Sequence, residues 1–386
     1  MNNTHSRSAC RKPLERVFLA LATLCVFATA IPVLTAQTYK ILYTFKGGLA
    51  GDGEMPLSGL VLDPQGNLYG TTLGGGTGGD GTIFKLSPAG VETLLHVFDH
   101  HLPAEGAEPA TGVIRDSQGN LYGTTRSGGD LNCYPPYGCG TVYKLDPAGN
   151  FTILHTFSGS DGWLLDDGSS LTSDTEGNLY GAADVGGFFG DPCDPTYGCG
   201  VIFKINVDGT ENVLHVFTGD DGSSPKSPVV LDPDGNLYGA TAFTVFKLDP
   251  SGNETVLHRF TGGDDGDNAY GGLIRDAAGN LYGVTEEGGL PSKNCGEAGN
   301  QSCGTVFKVT SADDLHVLYQ FSGGADGGNP FAGLTFGKSG LYGTTYDGGN
   351  LACNRPYGCG TVFQITGKGQ KKVLHAFSGH GDGIFP

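Results

Sequence analysis

Ten cysteines are present, and the eight beyond residue 36 fall into four close pairs: Cys133 and Cys139, Cys193 and Cys199, Cys295 and Cys303, Cys353 and Cys359. Three of the pairs are written almost alike, as "CYPPYGCGTVYKL" at 133–145, "CDPTYGCGVIFKI" at 193–205 and "CNRPYGCGTVFQI" at 353–365. Thiols at such spacing offer three chemistries: metal ligation, redox exchange, or a disulfide that closes a loop. Zinc asks for more ligands, usually at shorter spacing, and no histidine lies in these stretches. Redox exchange asks for Cys-x-x-Cys. An even count and strictly local pairing point instead to four disulfides that pin four loops.

A second set of candidates recurs along the chain. Asp52, Glu105, Asp161, Asp221, Asp265, Asp326 and Asp382 occupy a common place, each followed by glycine. Asp-Gly first of all makes a turn. The alternative is a ring of carboxylates around a channel, able to hold calcium or a cationic ligand. Trp163, the single tryptophan, lies in one of these stretches, while Phe188, Phe189 and Arg355 lie in the cysteine-bearing ones. Aromatic groups on an exposed rim stack on sugars or on partner side chains. Ligand binding is therefore assigned to Trp163, Asp161, Phe188, Phe189, Arg355, Asp52, Asp221, Asp265 and Asp326, with no catalytic residue and no obligatory cofactor. Tyr137, Tyr197 and Tyr357 share one place before Gly-Cys and are read as shaping their loops, with Tyr134 beside them.

Histidines recur at 96, 155, 215, 258 and 375, with Tyr319 in the remaining copy. Their even spread argues against one metal site, and they are read as structural hydrogen-bonding groups between repeats. Lysines recur at 85, 144, 204, 247 and 308, and are expected to pack their stems and find Asp63, Asp116, Asp174, Asp232 or Asp276. No nucleophile elbow, phosphate loop or His-Glu-x-x-His motif is present, so nothing in the sequence announces catalysis.

These groups are positioned by a repeat. "GNLYG" or a near copy recurs six times, with its tyrosine at 69, 122, 180, 238, 282 and 342. Each copy sits in the same order of motifs, for example "GLVLDPQGNLYGTT", then "GTIFKLSPAG", then "VETLLHVF". Asp-Pro-Gln-Gly and Ser-Pro-Ala-Gly are type I turn sequences, and tight turns join antiparallel neighbours. Each unit reads as a meander of four strands, a to d. A period of about 40–60 residues with several short strands per unit predicts an all-β fold, a β-propeller of six four-stranded blades. Seven d-type strands are legible, the first being "ILYTF" at 41–45. That surplus keeps open a seven-bladed propeller truncated at its C-terminus. The minimal a–b and c–d turns fall on one face of the disc, and the long b–c and d–a connections, with the eight paired cysteines, on the other. Binding groups concentrate on such loops.

Residues 1–36 combine Arg7, Arg11, Lys12 and Arg16 with the uncharged run "VFLALATLCVFATAIPVLTA", the pattern of a secretory signal peptide; a retained membrane anchor is the alternative. Residues 37–386 then form one propeller domain. Of 22 basic and 40 acidic residues, four and one lie in the leader, which leaves 18 and 39, a net charge of −21. Such a surface repels phosphate backbones, so nucleic acid is not an expected partner. The chain is expected to be a monomer, secreted or on the cell surface, without a membrane span once the leader is removed.

The unit "GLxxDxxGNLYGTTxxGG…GTVFKLxPxG…TVLHxFxG" resembles the GloVer tandem repeat of exported bacterial proteins, over nearly all of residues 38–386. The resemblance implies a cell-surface or secreted propeller and brings no established activity. A looser similarity to NHL and gluconolactonase-like propellers rests on "D-x-x-G-N-L-Y". The reading is an extracellular binding module for a glycan or surface protein; the alternative is a propeller hydrolase or lyase with a metal-assisted site at the channel mouth.

Overall fold

The computed structural model describes residues 39–48, 51–99, 101–163, 170–295 and 302–386; the leader lies outside these residues. Six four-stranded antiparallel blades stand in a ring, a six-bladed β-propeller. The third blade shows the pattern: strands a (Thr172–Ser173), b (Leu179–Ala183), c (Val201–Ile205) and d (Glu211–Val216) follow one another in sequence and in space. The first blade adds two dipeptide strands, Gly53–Glu54 and Gly74–Gly75, at its loop end.

Each hairpin is set by its turn. Asp174 Oδ1 accepts the backbone N–H groups of Glu176 and Asn178, both at 2.9 Å, and Oδ2 accepts Asn178 Nδ2 at 2.7 Å and Tyr180 OH at 3.0 Å. Both oxygens are occupied, and Asp63, Asp116, Asp232 and Asp276 repeat the arrangement. The glycine after the tyrosine is required by the neighbouring strand: a Cβ on Gly181 would lie 2.4 Å from the Phe203 ring. The lysines do not seek these aspartates. Their ammonium groups sit over the cross-strand tyrosine ring, 5.3 Å away for Lys204 and Tyr180 and 5.9 Å for Lys85 and Tyr69.

Blades pack through a repeated aromatic contact. The phenylalanine closing strand d meets a ring of strand c in the next blade, edge to face, at 5.2 Å for Phe157–Phe203, Phe217–Phe246, Phe260–Phe307 and Phe321–Phe363. Strand a is innermost. Its leading residues from all six blades, among them Gly59, Gly112, Ser170, Pro228, Gly272 and Gly333, line one central cavity of about 330 Å³. Val113, Leu171, Val229, Leu273 and Leu334 are at most 5% exposed there, whereas Leu60 of the first blade is 50% exposed. The surplus segment Tyr39–Phe45 lies between the sixth blade and the first, with Tyr39 stacked on His375 at 4.1 Å and Phe45 edge-on to Phe84 at 5.0 Å.

Candidate functional site

The cysteines are the pins expected of them. Cys133–Cys139, Cys193–Cys199, Cys295–Cys303 and Cys353–Cys359 are bonded, with Cα–Cα distances of 5.8, 5.2, 5.3 and 5.8 Å, each within one b–c loop. The tyrosine before Gly-Cys shapes its loop through the backbone: the carbonyls of Tyr137, Tyr197 and Tyr357 accept the N–H groups of Gly128, Gly186 and Gly348. That leaves the rings of Tyr137 and Tyr197 turned outward, 61% and 41% exposed.

The recurrent histidines and the recurrent acids, read separately from the sequence, pair with each other. His155 Nε2 lies 3.1 Å from Asp161 Oδ2, His215 3.0 Å from Asp221, His258 3.0 Å from Asp265 and His375 3.2 Å from Asp382. Asp52 and Asp326 take Tyr43 OH and Tyr319 OH in the same way, at 2.9 and 2.7 Å. The other carboxylate oxygen receives the backbone N–H after strand d, as in Ser158 and Thr218 at 2.8 Å. A bulge explains the aim. In every blade the c–d register slips by one residue, at Leu95, Leu154, Leu214, Leu257, Leu318 and Leu374, just before the histidine or tyrosine. Because strand d is the outer strand, these acids stand at the rim of the disc and not around the channel mouth.

The seam between blades passes through these pairs. The residue opening strand d of one blade faces the pair of the blade before it: Phe151 stacks on His96 at 4.0 Å, and the Lys371 ammonium lies 2.8 Å from Asp326. Burial draws the Lys371 ammonium below its ordinary value; burial opposes ionisation of Asp326, but its bonds from Lys371, Ser322 and Tyr319 prevail and hold the carboxyl low. Glu211 opens its strand beside His155 and Asp161, and one donor atom from each of the three lies within 4.8 Å of the others. An imidazole with two carboxylates suits a transition ion better than calcium, which prefers an all-oxygen shell.

Trp163 is not a free surface group. It is 4% exposed, its ring lies 4.4 Å from Tyr134 and 5.6 Å from Tyr197, and its backbone N–H bonds to Val185. It thereby braces an aromatic cleft where the loops of the second and third blades meet. Tyr134, Tyr137 and Tyr197 line this cleft with Glu108, Arg126, Ser127 and Gly138, around a volume of about 490 Å³. Glu108 Oε2 accepts Ser127 Oγ at 3.2 Å. Phe188 and Phe189, 42% and 43% exposed, and the exposed Arg355 of the sixth blade stand outside this lining.

Acids do gather beside the channel, but different ones. Tyr270, which lines the central cavity, has the Lys226 ammonium 4.9 Å from its ring, and burial together with Glu286, Asp267, Glu287 and Asp184 pushes its hydroxyl up to about 12. Burial, then Glu287, raises the Glu286 carboxyl; burial alone carries Asp347 up to about 6. Sequence reasoning missed Arg126, Glu286 and their counterparts. The signal was one position just after strand b, read as Leu73, Arg126, Asp184, Ala242, Glu286 and Tyr346 in otherwise matching units.

The sequence matches the Gloeobacter/Verrucomicrobia repeat twice in tandem, over residues 29–192 and 193–386. No curated protein matches it. Among solved structures, a streptogramin B lyase superposes with a TM-score of 0.51 at 15% identity, covering 82% of this chain and 81% of that one. The extracellular domain assigned to a one-component system of B. thetaiotaomicron gives 0.50 at 14% identity, covering 89% of this chain and 39% of that one. Likeness at that identity is likeness of fold. Among the described residues no helix is long and apolar enough to cross a membrane.

Proposed function

This chain belongs to the Gloeobacter/Verrucomicrobia repeat family, and on that premise we propose that it is an extracellular binding module that takes a glycan in the aromatic cleft of its second and third blades. One observation carries the reading. Two tyrosine rings are held outward by disulfide-closed loops, over a tryptophan-braced floor, with one charge of each sign at the edge. The cleft volume of about 490 Å³ suits one or two sugar rings. Rigid aromatic faces bind with little loss of side-chain freedom, and Arg126 and Glu108 supply the polar groups that fix a ligand's orientation. Four disulfides fit export into an oxidising compartment. The test is a glycan array read with the full chain, followed by titration of each hit. Tyr137→Ala is expected to weaken binding about tenfold or more. Hits whose affinity survives both Tyr137→Ala and Tyr197→Ala would end this reading.

A second reading, a hydrolase or lyase acting at the channel, draws on the raised carboxyl of Glu286 near Lys226 and Tyr270. A carboxyl whose burial raises its hold on a proton is a candidate general acid. Turnover of a bound glycan, lost in Glu286→Gln, is the mark that would favour it.

A further inference from the structure

The six blades do not meet evenly around the ring. Between the first and second blades, Ile83 and Phe98 cover Val113, Leu121, Tyr143 and Leu145, and all of these are at most 2% exposed. No comparable cluster joins the sixth blade to the first among the described residues. On the first blade Leu60, Leu57 and Leu62 are 50%, 54% and 65% exposed, where Val113 and Ala110 of the second are each 2% exposed.

One edge of this seam is already furnished. The segment "YKILYTF" at 39–45 aligns with strand d of the second blade, "FTILHTF" at 151–157. Its contacts agree at three points. Tyr39 stacks on His375 as Phe151 stacks on His96, at 4.1 and 4.0 Å. Phe45 meets Phe84 as Phe157 meets Phe203, at 5.0 and 5.2 Å. The carbonyl of Leu42 faces Gly90 as that of Leu214 faces Gly252. Every other strand d is hydrogen-bonded along a strand c; Tyr39–Phe45 carries no strand pairing in the structure. Its apolar side chains are accordingly open, with Ile41 43% and Leu42 46% exposed. Together with Leu60, Leu68, Phe84 and Leu86 they line a groove of about 310 Å³.

We infer that this groove is a docking site for a three-stranded segment of the same repeat, comprising strands a, b and c. The blade-to-blade contact made five times elsewhere defines what fits. Strand c of the guest would complete the unpaired Tyr39–Phe45 by strand addition, and its inner aliphatic residue would cover Leu60. An apolar face next to an unpaired strand is otherwise an aggregation hazard. This inference is independent of the glycan reading, which concerns the loops of other blades.

The probe is a synthetic peptide of residues 223–248, "SSPKSPVVLDPDGNLYGATAFTVFKL", the one copy whose b–c connection is short and free of cysteine. By analogy with its own blade, where Leu248 pairs with Glu254 and Phe246 with Val256, it should set Leu248 opposite Tyr39 and Phe246 opposite Ile41. Added to the full chain, it is expected to bind one to one and to slow amide exchange at residues 39–45. Leu60→Asp, at an already half-exposed position, is expected to weaken that binding about tenfold or more by burying a carboxylate. No binding, equal binding by a scrambled peptide, or binding indifferent to Leu60→Asp would overturn the inference. Leu60-dependent dimerisation of the chain alone would replace the guest with a second copy and overturn it as well.

Discussion

On the turn face of the disc, Asp63, Asp116, Asp174, Asp232 and Asp276 do the same thing five times; on the loop face three blades share one disulfide-closed loop and the other three each end differently. The same repeat builds both. On the turn face each of these carboxylates has four hydrogen bonds from its own hairpin, so its oxygens are already committed. On the loop face the fourth blade closes its b–c connection within Thr241–Thr244, while the second spends a disulfide and two tyrosines on it. What recurs is frame, and what changes from blade to blade is available to function.

Four substitutions sharpen or break that comparison. The largest effect belongs to Trp163→Ala, which empties the floor between Tyr134 and Tyr197. It should cost about 3–4 kcal/mol of stability, read as a lowered midpoint in denaturant unfolding. Unchanged stability with lost glycan binding would make Trp163 a contact residue instead of a brace. Next comes Asp174→Ala on the turn face, which strands Asn178 and Tyr180 and should cost about 2 kcal/mol with no effect on binding. A neutral outcome would mean that water replaces the carboxylate and that the repeated network is not frame at all.

Asp347→Asn tests a raised carboxyl on the loop face. The Asp347 carboxyl is raised to about 6, so its contribution favours the fold below its ordinary value of 3.8 and is lost as pH rises through about 6. The variant should therefore be more stable than the parent by about 1 kcal/mol at pH 7.5, after allowance for solvent screening, and no different at pH 3.5. A gain of the same size at both pH values would point to packing and not to charge. Smallest is Gln118→Ala, in a four-residue turn opposite the loops. It should stay within about 0.5 kcal/mol in stability and leave glycan binding unchanged; a loss of binding there would put the site on the other face.

Much of the architecture was legible because a repeat states each rule several times. The six sets of tyrosines, the turn aspartates and the paired cysteines each named their own place, and the six blades and four disulfides are where the spacing put them. Three things were not legible. The c–d bulge falls on a leucine in every blade, a residue type that does not announce a bulge, so the partnership of His155 with Asp161 was hidden; the acids, read first as turn formers and alternatively as a ring at the channel, belong to the rim. Burial of Trp163 depends on Tyr134 and Tyr197, which come from two different blades. Exposure of Leu60 depends on what stands beside the first blade, which no pattern within that blade records.

The seam between blades bears on how such a chain can change over generations. Where a histidine holds the rim acid, the next blade opens with a neutral or acidic residue, as with His155 before Glu211 and His215 before Glu254. Where Tyr319 stands in the histidine's place, the next blade opens with Lys371. A crossover in the gene that moved the fifth repeat in front of a repeat opening with glutamate would set two carboxylates together with no cation between them. The repeats look interchangeable in their sequence, yet each is matched to the neighbour it was inherited beside.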